Sequence, residues 1–371
     1  MNRVAFSFRG YNITNLGRTH EFLQIPAYRP ILERWLARGN LVCREAYGGQ
    51  TDLLKRVVEQ QEPDLAHYPE AVALIMAVEL AQIDMLREVH GIEFQLSKFA
   101  FGYSLGELAA VAASGMIEPQ QVMHVPISLA ADCAELAEGV TLGILFSRDV
   151  VLPEQLVVRL CDEISSTEGK LIGVSAILSP NTLLLLGEAD SLDLLRQRMK
   201  DEGPSSVVLK KDPNHWPPLH TPIVRRRHVP DRASVLMERM IQGRSNPPIF
   251  SLVTGSMSYD SVPAREILRE WVDHPQRLWD AVTYSLKSEI QWLIHVGPAP
   301  NLIPATYHRV SENVRQQLAR ISLGGLRMRA FSGLAHRRWL TNLLPTSASL
   351  LRAPGLKHLI LEDWLLEHAP R

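Results

Sequence analysis

The sequence predicts an α/β protein: an α/β-hydrolase-like core on a parallel sheet, an inserted ferredoxin-like α+β subdomain, and a helical C-terminal extension. Three observations carry this. The apolar run Phe99–Phe101 passes through a glycine-bounded turn into the helical stretch LAAVAASGM, which makes a strand–turn–helix crossover unit. Residues 141–211 change rhythm to strand, helix, strand, strand, helix, strand, the order of a ferredoxin-like unit. The α/β rhythm then resumes, with IFSLVTG and QWLIHVG as strands around a mainly helical 262–288. The core is expected over 1–139 and 212–325, the subdomain over 140–211 and the extension over 326–371.

Taken in order, residues 1–9 read as a strand, and 26–38 and 51–60 have helical spacing. Residues 69–89 give the strongest helix signal. Pro69 stands near the start, Gly91 lies just beyond the end, and apolar residues cover most sides, which predicts a buried helix. In the subdomain, TLGILF, LIGVSAIL, TLLLLG and SSVVLKK read as strands, with helices over 152–165 and 190–201. Residues 325–371, rich in Leu and Arg, read as terminal helices.

The chain has 371 residues, 46% hydrophobic and 21% charged, enough apolar content for a packed core. Lys+Arg is 39 against 40 for Asp+Glu, so no nucleic-acid partner is expected. Cys43, Cys133 and Cys161 match no metal spacing and make no disulfide framework; they read as core residues, and no metal is expected. No apolar run is long enough to span a membrane, and the N-terminus shows no signal-peptide pattern. The expected location is the cytoplasm, without a membrane partner.

The chemistry centres on Gly102-x-Ser104-x-Gly106. Between a strand and a helix, this turn holds a serine in a strained conformation with its hydroxyl exposed. The N–H of Leu105, opening the helix, is then aimed at a developing oxyanion. A serine nucleophile needs a base. Of 13 histidines, His220 stands out between prolines in PPLHTP, a rigid segment directly after the subdomain.

These segments together resemble the malonyl-CoA:acyl-carrier-protein transacylases and the acyltransferase domains of polyketide synthases. FGYSLGELAA resembles their GHSxGE motif, PPLHTPIV their His segment, SLVTG their SxVTG strand and HVGPAPNLIPA their ExGPxxxL segment. The resemblance runs from residue 1 to about 325 and implies Ser104 as nucleophile, His220 as general base and Leu105 as one oxyanion donor. The second donor in that family comes from an FPGQGSQ loop, which implies Arg9 of Phe6-Ser7-Phe8-Arg9-Gly10-Tyr11-Asn12 here. The group orienting His220 is expected at Gln276 or the Leu278 carbonyl, with Asp273 and Asp280 as alternatives. The substrates implied are acyl-CoA and phosphopantetheinyl acyl carrier protein, with no tightly bound cofactor.

Departures from the family pattern bear on the substrate. Leu129 occupies the position of the family's carboxylate-binding Arg, and no Arg occurs between Ser104 and Arg148. Tyr103 replaces the usual His before the nucleophile, so Tyr103 and Leu129 are expected to shape an acyl pocket for a non-carboxylated chain. The favoured function is acyl transfer in polyketide or fatty-acid biosynthesis. An acyl-carrier-protein thioesterase of the same fold and a non-catalytic carrier-protein-binding scaffold are the alternatives. Lys210-Lys211 and Arg225-Arg226-Arg227 could attract phosphates or an acidic carrier.

Overall fold

A computed structural model describes residues 1–238, 240–323 and 348–370. The chain opens with β1 (Val4–Phe8), α1 (Thr19–Phe22), α2 (Arg29–Tyr47), α3 (Leu53–Val58) and α4 (Tyr68–Glu88). Next come β2 (Phe99–Gly102), α5 (Leu105–Ala113) and α6 (Pro119–Ala137). The antiparallel unit comprises β3 (Val140–Ser147), α7 (Glu154–Glu168), β4 (Ile172–Ser179), β5 (Thr182–Glu188), α8 (Ser191–Glu202) and β6 (Val207–Lys211). The chain returns through α9 (Val229–Met237), β7 (Ile249–Phe250), α10 (Ala264–Trp271), α11 (Leu278–Lys287), β8 (Trp292–Val296) and α12 (Leu302–Leu323). It ends with β9 (Lys357–Ile360) and α13 (Leu361–Glu367).

The core sheet runs β7-β2-β1-β8-β9, and its pairs are parallel. β1 lies at its centre because VAFSF is apolar enough to be covered on both faces. α4 is buried almost all round, as its pattern predicts, and carries two polar residues, Glu79 and Gln82, into the interior. Both act on loops at the carboxyl ends of strands. Glu79 accepts the Arg9 N–H at 2.7 Å and Gln82 accepts the Gly297 N–H at 2.8 Å.

The second sheet runs β4-β5-β3-β6 with antiparallel pairs, the ferredoxin-like order. One face packs on α7 and α8 through residues such as Leu145, Leu183 and Leu185. The alternation of period two sends Leu142, Ile144, Leu184 and Leu186 to the opposite face. That face turns toward Ser104, because β4 docks onto the core segment at Gln276: Ile177 N–H donates to the Gln276 carbonyl and Gln276 N–H to the Ser175 carbonyl, both at 2.9 Å.

The structure departs from the sequence pattern at three places. Helix α6 forms where the pattern assigns no element; Glu118 caps it through the Gln121 N–H, Pro119 opens it, and Pro126 is accommodated inside. IFSLVTG is a strand only at Ile249–Phe250, since the Leu252 N–H is taken by the Glu107 carboxyl instead of a neighbouring strand. Residues 357–360 are not helical but add β9 beside β8, so the end of the chain completes the core sheet. The arginines at 327, 329, 337 and 338 lie outside the described residues.

Candidate active site

Ser104 sits at φ 54°, ψ −117°, a conformation that L-residues avoid. The surrounding contacts impose it. A Cβ on Gly106 would lie 2.3 Å from the Phe8 carbonyl oxygen, and one on Gly102 would lie 2.0 Å from the Gly106 carbonyl carbon. The turn therefore needs both glycines to bring β1, β2 and α5 together. Its serine is the first non-helical residue before α5, so the Leu105 N–H belongs to the helix's opening turn, which has no intrahelical acceptor.

His220 comes from the segment between β6 and α9 and also has positive φ, 66°. Its backbone N–H donates to the Val272 carbonyl at 2.7 Å, which clamps it to the end of α10. Its Nε2 lies 2.6 Å from Ser104 Oγ, and its Nδ1 lies 2.6 Å from the Trp271 carbonyl oxygen. A carbonyl only accepts, so the proton rests on Nδ1, and Nε2 is left to accept from the serine hydroxyl. Burial pushes the imidazole down to about 4, with the Trp271 carbonyl opposing, so His220 is neutral at pH 7.

Trp271 contributes twice more. Its indole N–H donates to the Ser104 carbonyl at 2.9 Å, and its ring meets the His220 ring edge-to-face at 5.2 Å. Gln276 is buried beside them and accepts the Ser104 N–H at 3.0 Å. Its Nε2 lies 3.3 Å from His220 Nδ1, but with both nitrogens carrying hydrogen this contact is not a hydrogen bond.

The orienting group is thus the Trp271 carbonyl rather than Gln276 or Leu278. Leu278 opens α11 and is buried in the apolar cluster under the sheet. Asp273 turns away to Arg225 and His274, and Asp280 pairs with Arg277. The Trp271 carbonyl carried no side-chain signal in the sequence.

Arg9 is also placed differently from expectation. Its backbone N–H is committed to Glu79, and its guanidinium is buried among the carbonyls of Gly10, Thr14 and Pro298 and the Asn15 side chain. Burial lowers it to about 10, opposed by the charge of Glu79. It is an internal strut of the loop after β1 and is not available as an oxyanion donor. The next residue, Gly10, meets the nucleophile: a Cβ there would lie 2.7 Å from the Tyr103 carbonyl oxygen and 3.3 Å from Ser104 Cβ.

Two spaces adjoin Ser104. The smaller, about 10 Å³, is lined by Leu129 with Tyr68, Leu105, Pro126, Cys133 and Trp271. The larger, about 340 Å³, lies between Ser104, His220 and Tyr103 on one side and the aliphatic face of β3 and β5 on the other. Exposed Arg309 of α12 stands in its lining and has no ion pair among the described residues. The basic clusters are otherwise engaged: Arg225, Arg226 and Arg227 pair with Asp273, Glu188 and Glu135, and Lys211 with Asp193.

The fold, a parallel core sheet with an inserted ferredoxin-like sheet, is similar to that of solved malonyl-CoA:acyl-carrier-protein transacylases. FabD from Acinetobacter baumannii superposes with a TM-score of 0.67 at 15% identity, covering 83% of this chain and 91% of that one. A malonyl-transacylase solved in complex with its type II polyketide synthase acyl-carrier protein gives 0.63 at 19% identity, covering 82% and 92%. By sequence, the chain is 23% identical over 265 residues to the highly reducing polyketide synthase claI of Penicillium crustosum. That match takes in 71% of this chain and 11% of the synthase, so the chain spans only a small part of its curated relative. No protein-family model matches. No helix among the described residues is long and apolar enough to cross a membrane.

Proposed function

We propose that the protein is an acyltransferase that moves an acyl group between coenzyme A or carrier-protein thioesters through an acyl-Ser104 intermediate. The observation that carries this is the chain of contacts from Ser104 Oγ through His220 to the Trp271 carbonyl, opening on a cavity. His220 Nε2 takes the hydroxyl proton as Oγ attacks the thioester carbonyl. The oxyanion is received by the N–H of Leu105 and that of Gly10, whose backbone approaches the nucleophile where Arg9 was expected to. The C–S bond breaks, His220 returns the proton to the thiolate, and the acyl group stays on Ser104. A second thiol, deprotonated by His220, then reverses the sequence.

A non-carboxylated acyl group fits best. Leu129 is buried where a carboxylate partner would stand, and Arg309 is the only charged residue in the lining of the larger cavity among the described residues. An acyl carrier protein is the proposed acceptor, since a neighbour of this fold is solved with its carrier, and Arg309, with no ion pair among the described residues, stands in the cavity lining where it would meet the phosphopantetheine phosphate.

The test is intact-mass analysis after incubation with acyl-CoAs, with and without holo carrier protein. An adduct on the wild type, absent from Ser104→Ala and passed to the carrier, supports transfer. An adduct lost to free acid points to the thioesterase reading instead. No adduct with any thioester refutes both.

A further inference from the structure

We infer that the acyl chain is a linear, apolar one of about eight carbons, and that it lies against the open face of the antiparallel sheet rather than in the space beside Leu129. This rests on the acyl-Ser104 reading above and adds the substrate's size and the surface that selects it.

The first observation is register. Leu142 pairs directly with Leu186, and Ile144 with Leu184, across β3 and β5. Directly opposed side chains on one face touch, so these four form a continuous aliphatic plate. Leu178 of β4 extends it, and the whole plate lines the cavity that contains Ser104 and His220. The other face of the same strands is filled by helices, as a core should be. Leu178 and Leu186 are buried, while Leu142, Ile144 and Leu184 stay partly exposed in the cavity wall, and an apolar wall beside a nucleophile is the arrangement of a site for apolar substrate.

The second observation is volume. The space at Leu129 holds about 10 Å³, less than the roughly 30 Å³ share of one water in the liquid, so it admits no chain. The cavity over the plate holds about 340 Å³. At roughly 30 Å³ per small heavy-atom group, the share of one water in the liquid, it admits roughly eleven such groups. An octanoyl thioester head comes to about ten. The third is polarity. Among the described residues of the lining, the only charged side chain is Arg309, which is exposed and suits the phosphate end of the substrate rather than the chain.

The alternative occupant of the plate is the pantetheine arm, common to every thioester. Chain length separates the two. Each methylene taken out of water is worth up to about fourfold, so wild type should acylate Ser104 with octanoyl-CoA at least tenfold more efficiently than with acetyl-CoA, read as kcat/KM by intact mass. Ile144→Trp, filling the plate, should lower the octanoyl-to-acetyl ratio at least tenfold. Leu184→Ala, which only removes atoms, should move the optimum toward decanoyl or dodecanoyl and covers the event that the Trp variant does not fold. A wild type that prefers acetyl, or ratios unchanged in both variants, overturns the inference and assigns the plate to the arm. An adduct with acetyl alone refutes the chain assignment while leaving acyl-Ser104 standing; no adduct with any thioester removes both.

Discussion

Leu129→Arg introduces the residue type that the sequence resemblance led us to expect at this position, and the structure predicts that it lowers stability without conferring malonyl use. Leu129 is buried on α6, against Tyr68, Leu105, Pro126, Cys133 and Trp271. Arginine adds about three heavy atoms beyond leucine, while the free space is about 10 Å³, so the guanidinium must displace core. Overpacking of this kind costs about 1–3 kcal/mol. No carboxylate lines the space, so the charge is also unpaired, and an uncompensated buried charge costs about 3–5 kcal/mol. If local rearrangement relieves part of this, about 3–5 kcal/mol in total remains, or at ~2–4 °C per kcal/mol a fall in Tm of roughly 6–20 °C. Differential scanning fluorimetry reads the first quantity, and Ser104 acylation by malonyl-CoA against acetyl-CoA reads the second. Leu129→Met, near in volume, should cost less than about 1.5 kcal/mol and serves as control. An arginine variant with wild-type Tm and a gain in malonyl kcat/KM would show that α6 moves aside, and would refute the argument from volume.

Four further outcomes are expected. His220→Ala should slow acylation by roughly two to four orders of magnitude, and because the imidazole sits at about 4 the wild-type acylation rate should stay level from pH 8 down to about 5; a break near pH 6.5 would contradict its burial. The same depressed value means that the unfolded chain binds this proton more readily, so stability should fall as pH drops from about 6.5 to about 4, by roughly 3 kcal/mol from this group, measured as urea midpoints against His220→Gln. Gln276→Ala leaves the Ser104 N–H without its acceptor, which should cost about 1–3 kcal/mol and lower kcat with little change in KM; an effect confined to KM would mean that Gln276 binds substrate instead of positioning the nucleophile. Arg309→Ala should raise KM several-fold for acyl-CoA and leave N-acetylcysteamine thioesters, which lack the phosphate, unaffected; equal effects on both would remove Arg309 from phosphate binding.

What the sequence made legible follows its physical signals. The GYSLG turn between an apolar strand and an apolar helix has few alternative structures, so the placement of Ser104 and Leu105 at a strand–turn–helix junction was readable at once. The βαββαβ unit was readable because its strands alternate and its helices are periodic and each end at a glycine, Gly169 and Gly203. β9 was not, because residues 357–360 are two polar and two apolar positions without a β-branched run, and they become a strand only by pairing with β8. Arg9 was expected at the oxyanion because it occupies the position of the family's donor loop, whereas its N–H goes to Glu79 and four neutral acceptors take its guanidinium into the interior. The Trp271 carbonyl is a backbone group, and no residue pattern announces which carbonyl a histidine will face.

The use of a carbonyl at that position has a consequence for how the site must be held. A carboxylate partner would attract the imidazolium and pull the ring into place by charge; a neutral carbonyl offers one directional bond and much less charge stabilisation. Orientation must then come from packing and from backbone. Both Ser104 and His220 hold positive φ, each costing about 1–3 kcal/mol, and both are pinned by several bonds: the Val272 carbonyl and the Trp271 carbonyl for His220, the Gln276 side chain and the Trp271 indole for Ser104. The supports lead outward to buried polar groups. Glu107, raised to about 7 by burial, accepts the Leu252 N–H and the Tyr259 hydroxyl, fixing the chain just beyond β7, and Glu79 fixes the loop carrying Gly10. Each of these acids anchors a different loop to a helix of the core, so three strand ends meet at Ser104 with their spacing set from inside the protein. That rigidity leaves the sheet of the inserted unit, attached to the site through Gln276, as the surface whose side chains can vary without disturbing the relay, and so as the surface on which acyl selection can be changed.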